Sequence, residues 1–351
     1  MKILVRGTNW IGDAVMSIPA LRELRRIFPE DRITLHTRSW ADGLFEEASF
    51  IDDIVTYEKH RWRVKDVLDN SQFLREDRYD LAILLPNSFE AALTAFLSKI
   101  PRRIGYNKDV RGLLLTDPIA VPEWKGRRHE AFYYIELVRQ IERLILGSET
   151  VGGEVPDALL EVSDKRRSIA RKYLADLGCD PTKETIVLGV GSANSAAKRW
   201  PAASYAAIAD MFSGRRDANV VLMGSKDEAQ IAADVEKATR SPIFNIAGRT
   251  SLAEGVAILS VVDLTVSNDM GLAHLAAAVQ TNTLVIFGPT DPNITRPFSS
   301  YAHIITAGAD CSPCHLRDCP IDHRCMTRIT PQMVFDRSVS ILERDGTAAT
   351  E

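Results

Sequence analysis

"RGTNWIGDAVMSIPAL", residues 6–21, follows the apolar run Ile3–Val5 at the start of the chain. An apolar run, a glycine-bracketed turn and an apolar stretch at helical spacing make the opening of an α/β protein. Such a turn commonly cradles a phosphate, but this one does not have the pattern for it. GTNWIG followed by Asp13 fits neither G-x-G-x-x-G nor G-x-x-x-x-G-K-[ST]. A carboxylate at the start of the helix repels a diphosphate, and the helix dipole favours its ionised form. Two readings of Asp13 stand at this point: a helix cap, or a general base that accepts a proton from an incoming hydroxyl.

Working outward, short β-branched runs alternate with amphipathic segments through most of the chain. KILVRG, RITLHTR, DIVTY, DLAILLP and RRIGY read as strands in the first half, and TIVLGVG, NVVLMG, FNIAG, LTVSND and TLVIFG in the second. Residues 14–27, 88–99, 164–178, 203–213 and 226–238 carry helical spacing between them. This alternation predicts parallel sheets covered on both faces. Residues 146–164, rich in Gly and acids, read as a linker between two series. The expected fold is α/β, with two facing Rossmann-like, doubly wound domains and a ligand cleft at the carboxyl ends of their strands. The domains are expected at 1–160 and 161–351, the last helix being free to pack back on the first.

A length of 351 residues suits two cores better than one. The formal charge of −4 gives no support for nucleic-acid binding as the main activity. Arg6 and Asp13 interrupt any signal-peptide core, and no run of about 18 uncharged apolar residues exists. A cytoplasmic protein is expected. Four of the five cysteines, Cys311, Cys314, Cys319 and Cys325, crowd into one segment. Structural zinc, reduced thiols and disulfides are the three readings of that segment, and none gives it a catalytic role.

The second half supplies the anion-suited turns that the first lacks. GVGSANSAAKRWP (189–201) offers Ser192, Asn194 and Lys198 after a strand. SNDMGLAHLAAA (267–278) opens a helix at about Met270, with Asp269 expected as its N-cap and Gly271 letting an anion approach the backbone. No D-x-D pair occurs in the chain, so if a nucleotide diphosphate leaves here, its charge falls to Lys198 and helix-end amides instead of a metal.

Together, ILVRGTNWIGDAVMSIPAL, YDLAILLPNSFEAAL, AKRWP, GSKDE and SNDMGLAHLAAA…FGPTDP resemble the bacterial ADP-heptose:lipopolysaccharide heptosyltransferases, most of all those of type II. The resemblance runs in order over residues 3–297 and implies a GT-B architecture. It also implies metal-independent, inverting transfer of heptose from ADP-heptose, with no cofactor required. Asp13 falls on the family's catalytic base. Lys198 falls on the lysine that meets the diphosphate. Asp269, Met270, Gly271, Leu272 and His274 fall on the segment around the ADP-sugar, where Met270 replaces a usual hydroxyl. Glu228, beside Asp227, lies where an acid often holds the ribose, and which of the two does so stays open.

The implied acceptor is heptosylated Kdo-lipid A, which carries carboxylates and phosphates and calls for a basic pocket. Arg61 and Arg63 in EKHRWRVK, and Arg103 in RRIGYNKDVRG, are the candidate cations. Asn87 and Ser88 are candidates for its sugar hydroxyls. The same basic, aromatic surface implies peripheral contact with the inner face of the cytoplasmic membrane.

Overall fold

The computed structural model describes residues 1–58, 63–153, 155–192 and 195–348. The chain divides after Ala158 into two compact units, Met1–Ala158 and Leu159–Glu351.

The first unit opens with β1 (Lys2–Arg6), α1 (Ile11–Met16), α2 (Ile18–Ile27), β2 (Arg32–Arg38), α3 (Asp42–Phe45) and β3 (Asp53–Tyr57). It continues through α4 (Arg63–Glu76), β4 (Leu81–Leu84), α5 (Phe89–Leu97), β5 (Arg102–Tyr106), β6 (Asp117–Ile119) and α6 (Ala131–Leu146). Its six strands are all parallel, in the order β3-β2-β1-β4-β5-β6. β1 and β4 are apolar and buried because helices cover both faces of a parallel sheet.

The second unit contains α7 (Asp164–Asp176), β7 (Thr185–Gly189), α8 (Ala202–Arg216), β8 (Asn219–Met223), α9 (Ala229–Ala238), β9 (Phe244–Asn245) and α10 (Leu252–Leu259). Then follow β10 (Leu264–Asn268), α11 (Gly271–Ala278), β11 (Thr283–Phe287), α12 (Pro292–Thr295), β12 (Ala302–Thr306), α13 (Arg324–Thr327) and α14 (Pro331–Ala348). The order β12-β11-β10-β7-β8-β9 is again parallel throughout and repeats that of the first unit. In each sheet the strand order reverses between the first and fourth strands, where open α/β sheets place ligands at the carboxyl ends. Those switch points are β1/β4 and β7/β10.

Two edge strands, β6 and β12, lie beyond the strand runs read from the sequence. The long segment 14–27 is two helices with a break at Ser17. The terminal helix α14 packs within the second unit: Phe335 meets Phe212 of α8 at 5.2 Å between ring centres, and Val334 and Ile341 join the same core. The proposed linker is anchored rather than loose. Glu142 at the end of α6 is buried and accepts from the backbone N–H groups of Thr150 and Val151, each at 2.8 Å. The Ser148 and Thr150 hydroxyls add two more hydrogen bonds.

Candidate functional site

Each unit carries polar groups at the carboxyl edge of its switch point. In the first, α1 starts one turn after β1, with Trp10 at the N-cap position in extended conformation and no side-chain cap. Asp13 is therefore not the cap. It is the third helical residue, half-buried, in the first turn where the helix dipole favours a carboxylate. Tyr134 of α6 faces it: burial and then the charge of Asp13 hold the Tyr134 hydroxyl well above the ordinary tyrosine range.

After β4, Asn87 is clamped from two directions. Its Nδ2 donates to the Tyr133 hydroxyl at 3.1 Å, and its Oδ1 accepts from Arg111 Nη2 at 3.3 Å. Arg111 is fully buried and also donates to the carbonyls of Tyr106 (2.8 Å) and Pro86. Burial brings its pKa down to about 10. Tyr133 stacks on Tyr106 at 4.2 Å, and burial pushes its hydroxyl up to about 12. Ser88 caps α5, accepting from Ala91 N at 3.2 Å, and a hydroxyl that accepts keeps its own hydrogen to donate.

The acceptor cations fare differently. Arg61 lies outside the described residues, and Arg63 begins α4. Arg103 is corrected by the structure: as the second residue of β5 it sits at the amino edge, away from the switch point. Its guanidinium is spent on the carbonyls of Ile100 and Leu114 and on the Phe96 ring.

In the second unit the turn after β7 is built around Trp200. Its indole is buried, donates to the Ile329 carbonyl at 2.8 Å and meets Tyr205 edge-on at 5.0 Å. Asn268 ties this turn to the one after β10, donating to the Gly191 carbonyl (2.8 Å) and accepting from Trp200 N (3.1 Å). Lys198, in a 3-10 turn (Ala196–Lys198), thereby reaches Asp269, its Nζ lying 2.6 Å from Oδ2. Thr290 donates to the same oxygen at 2.6 Å.

Asp269 is therefore not the N-cap of α11. That position is Met270, extended and without a side-chain cap, and the helix begins at Gly271. Ala273 N–H donates to the Met270 carbonyl at 3.0 Å, which leaves the first two N–H groups of the helix without an intrahelical acceptor, and a methionine side chain does not occupy them. Leu272 and His274 are buried on the first turns of α11.

Ser192 is buried and its carbonyl accepts two guanidinium bonds from Arg199, at 3.1 and 3.0 Å. Asn194 lies outside the described residues. Glu228 is buried in a capping box, its Oε2 accepting from Ser225 N (2.8 Å) and Oγ (2.9 Å). A Cβ at Gly191 would lie 2.0 Å from Glu228 Oε1, so the glycine is what leaves room for this carboxylate in its capping box.

The cysteine-rich segment buttresses the Lys198 turn. Ala197 N and Ser195 Oγ both donate to the Arg317 carbonyl, at 2.9 and 3.1 Å. His323 Nε2 lies 2.6 Å from the Ala197 carbonyl and so carries the proton. Cys314 N and His315 N donate to the Pro289 carbonyl at 3.0 and 2.7 Å. All four thiols are free, and among the described residues no three His, Cys, Asp or Glu side chains are grouped to hold a metal. Burial, followed by the neighbouring Cys311, Cys319 and Cys314, pushes the Cys325 thiol up.

The family model described as "Glycosyltransferase family 9 (heptosyltransferase)" matches residues 67–324, more than half of the chain. The chain belongs to glycosyltransferase family 9. This glycosyltransferase is 28% identical to the lipopolysaccharide heptosyltransferase 2 of Salmonella typhimurium over 99% of its own length and 100% of that protein's. The solved structure of E. coli ADP-heptose lps heptosyltransferase II superposes with a TM-score of 0.84 at 26% identity, covering 99% of this chain and 100% of that one. A glycosyl transferase family 9 structure from Veillonella parvula gives 0.84 at 21% identity, covering 98% and 97%. The glycosyltransferase thus has a GT-B-like fold of two parallel, doubly wound units. Sequence reasoning missed Tyr133, Tyr134 and Arg111. Adjacent tyrosines in the first turn of an amphipathic helix were the available signal, since buried tyrosines need partners for their hydroxyls.

Proposed function

We propose that this enzyme transfers L-glycero-D-manno-heptose from ADP-heptose to the heptose of the lipopolysaccharide inner core, the heptosyltransferase II step. The observation that carries the reading is the chemical contrast between the two switch points. One places Asp13 on the first turn of α1; the other has Lys198, paired with Asp269, and the uncapped amino end of α11. Asp13 takes the proton of the acceptor hydroxyl as its oxygen attacks the anomeric carbon. The bond to ADP breaks on the opposite face, and configuration inverts in a single displacement. Lys198 and the α11 amides meet the charge that develops on the diphosphate, which is why no metal is required. Glu228 holds the ribose, and Asn87 and Ser88 hold acceptor hydroxyls.

Identity of 28% and 29% to two heptosyltransferase 2 proteins, against 26% to a heptosyltransferase 1 aligned over a similar share of the chain, supports this step over that of heptosyltransferase I. The test is to incubate the enzyme with ADP-heptose and Kdo-lipid A bearing zero, one or two heptoses. ADP release with the monoheptosyl acceptor is expected, and release only with the heptose-free one would assign the earlier step. Turnover of donor alone would argue for an epimerase.

Among the described residues no helix is long and apolar enough to cross a membrane. Contact with the inner face of the cytoplasmic membrane is proposed through the loop at 108–113. Val110 and Leu113 are 85% and 94% exposed there, beside the exposed Lys108. Val110→Asp with Leu113→Asp should release the enzyme from sedimenting anionic phospholipid vesicles.

A further inference from the structure

Arg6 ends β1 with its guanidinium buried among neutral partners. It donates to the Tyr57 hydroxyl and, at 3.3 Å, to the His36 carbonyl, while its Nε has no partner. Burial lowers its pKa from the ordinary value, Tyr57 and the field of Glu90 oppose the shift, and the like charge of Arg38 adds to it. Arg38 ends the neighbouring strand β2, and its Nε is likewise buried without a partner. The two guanidinium carbons lie 3.9 and 6.0 Å from the centre of the same Tyr57 ring. Among the described residues no carboxylate hydrogen-bonds to either.

Donor chemistry then fixes a third group. Arginine only donates, so Tyr57 accepts from Arg6 and its own proton goes to Asn9 Oδ1, at 3.3 Å. The Asn9 amide is thereby oriented with its oxygen toward Tyr57 and its Nδ2 hydrogens turned away. Asn9 is half-buried in the turn that carries Asp13. Two cations and an oriented amide donor meet at the carboxyl ends of β1, β2 and β3. Burying a charge without a partner costs several kcal/mol, so a cluster of donors lacking an acceptor is completed by an anion.

We propose that Arg6, Arg38, Tyr57 and Asn9 form an anion subsite for a carboxylate or phosphate carried by the saccharide acceptor. Arg38 and Asn9 make the contacts, and Arg6 supplies buried positive charge through Tyr57. The proposal rests on the first unit being the acceptor side.

The test uses the full-length protein saturated with ADP, so that the nucleotide site is occupied. Thermal melting is followed in inorganic phosphate, in glucuronate and in sodium chloride at equal ionic strength, for wild type, Arg38→Gln and Asn9→Ala. Stabilisation by phosphate or by glucuronate that is lost in both variants supports the subsite and says which group it takes. Equal stabilisation of all three proteins, or none by either anion, overturns it. In transfer assays Arg38→Gln should raise the acceptor KM by about tenfold or more with the ADP-heptose KM unchanged. A change in both, or in neither, counts against the subsite. If no acceptor is turned over at all, the functional reading fails while the melting comparison still judges the subsite.

Discussion

At the residue scale, Asp13 differs from an ordinary capping carboxylate in position. The cap site belongs to Trp10, and the carboxylate stands three residues further on, beside Tyr134. Asp13→Asn should lower kcat for transfer by about 100-fold or more while ADP affinity stays within a few-fold, measured by ADP-release kinetics and calorimetry. Equal loss of both would make the residue structural. Gly191 offers a second test. Gly191→Ala forces the Glu228 carboxylate off Ser225, so a fall in Tm and a higher donor KM are expected. Because one clash causes both, the cost of Gly191→Ala should be much smaller in a Glu228→Ala background. The Asp13 spacing was legible in the sequence because the turn that carries it is local. The partner of Asp269 was not, since the lysine that claims its carboxylate is 71 positions away.

At the scale of elements, the cysteine-rich segment acts through its backbone. Its Arg317 carbonyl and the His323 ring hold the turn that presents Lys198. His323→Ala should weaken ADP binding several-fold in calorimetry with little change in Tm, because it loosens a surface turn and leaves the Trp200 core intact. His323→Gln, which keeps a donor, should restore most of the affinity. Strand direction decided the fate of Arg103. Composition placed it in a basic cluster, but its place as second residue of β5 puts it at the wrong edge. β6 escaped the strand reading because it contains Pro118, which an edge strand tolerates where a central one does not.

For the whole molecule, the boundary between units is prepared by Glu142. Burial works against its charge, but hydrogen bonds from Thr150, Val151 and Ser148 prevail and bring its pKa down to about 2 from an ordinary 4.5. A depressed carboxylate contributes stability that is present above its unfolded pKa and lost as pH falls toward the folded one. Glu142→Gln should therefore destabilise the protein at neutral pH by about 1–3 kcal/mol. The difference should shrink between about pH 5 and pH 2, as read from melting curves. Transfer that needs no divalent cation should survive EDTA unchanged, and loss of activity restored by Mg²⁺ would refute the role given to Lys198.

The sequence by itself determined the α/β class, the central strands and the chemical contrast between the two halves. Those features are written in local periodicity and in residues adjacent to strand ends. Tertiary structure alone decided which groups share a site. Lys198 meets Asp269, Tyr134 meets Asp13 and Arg111 meets Asn87 only because parallel strands bring distant turns to one edge of a sheet. Local spacing carries no record of that edge.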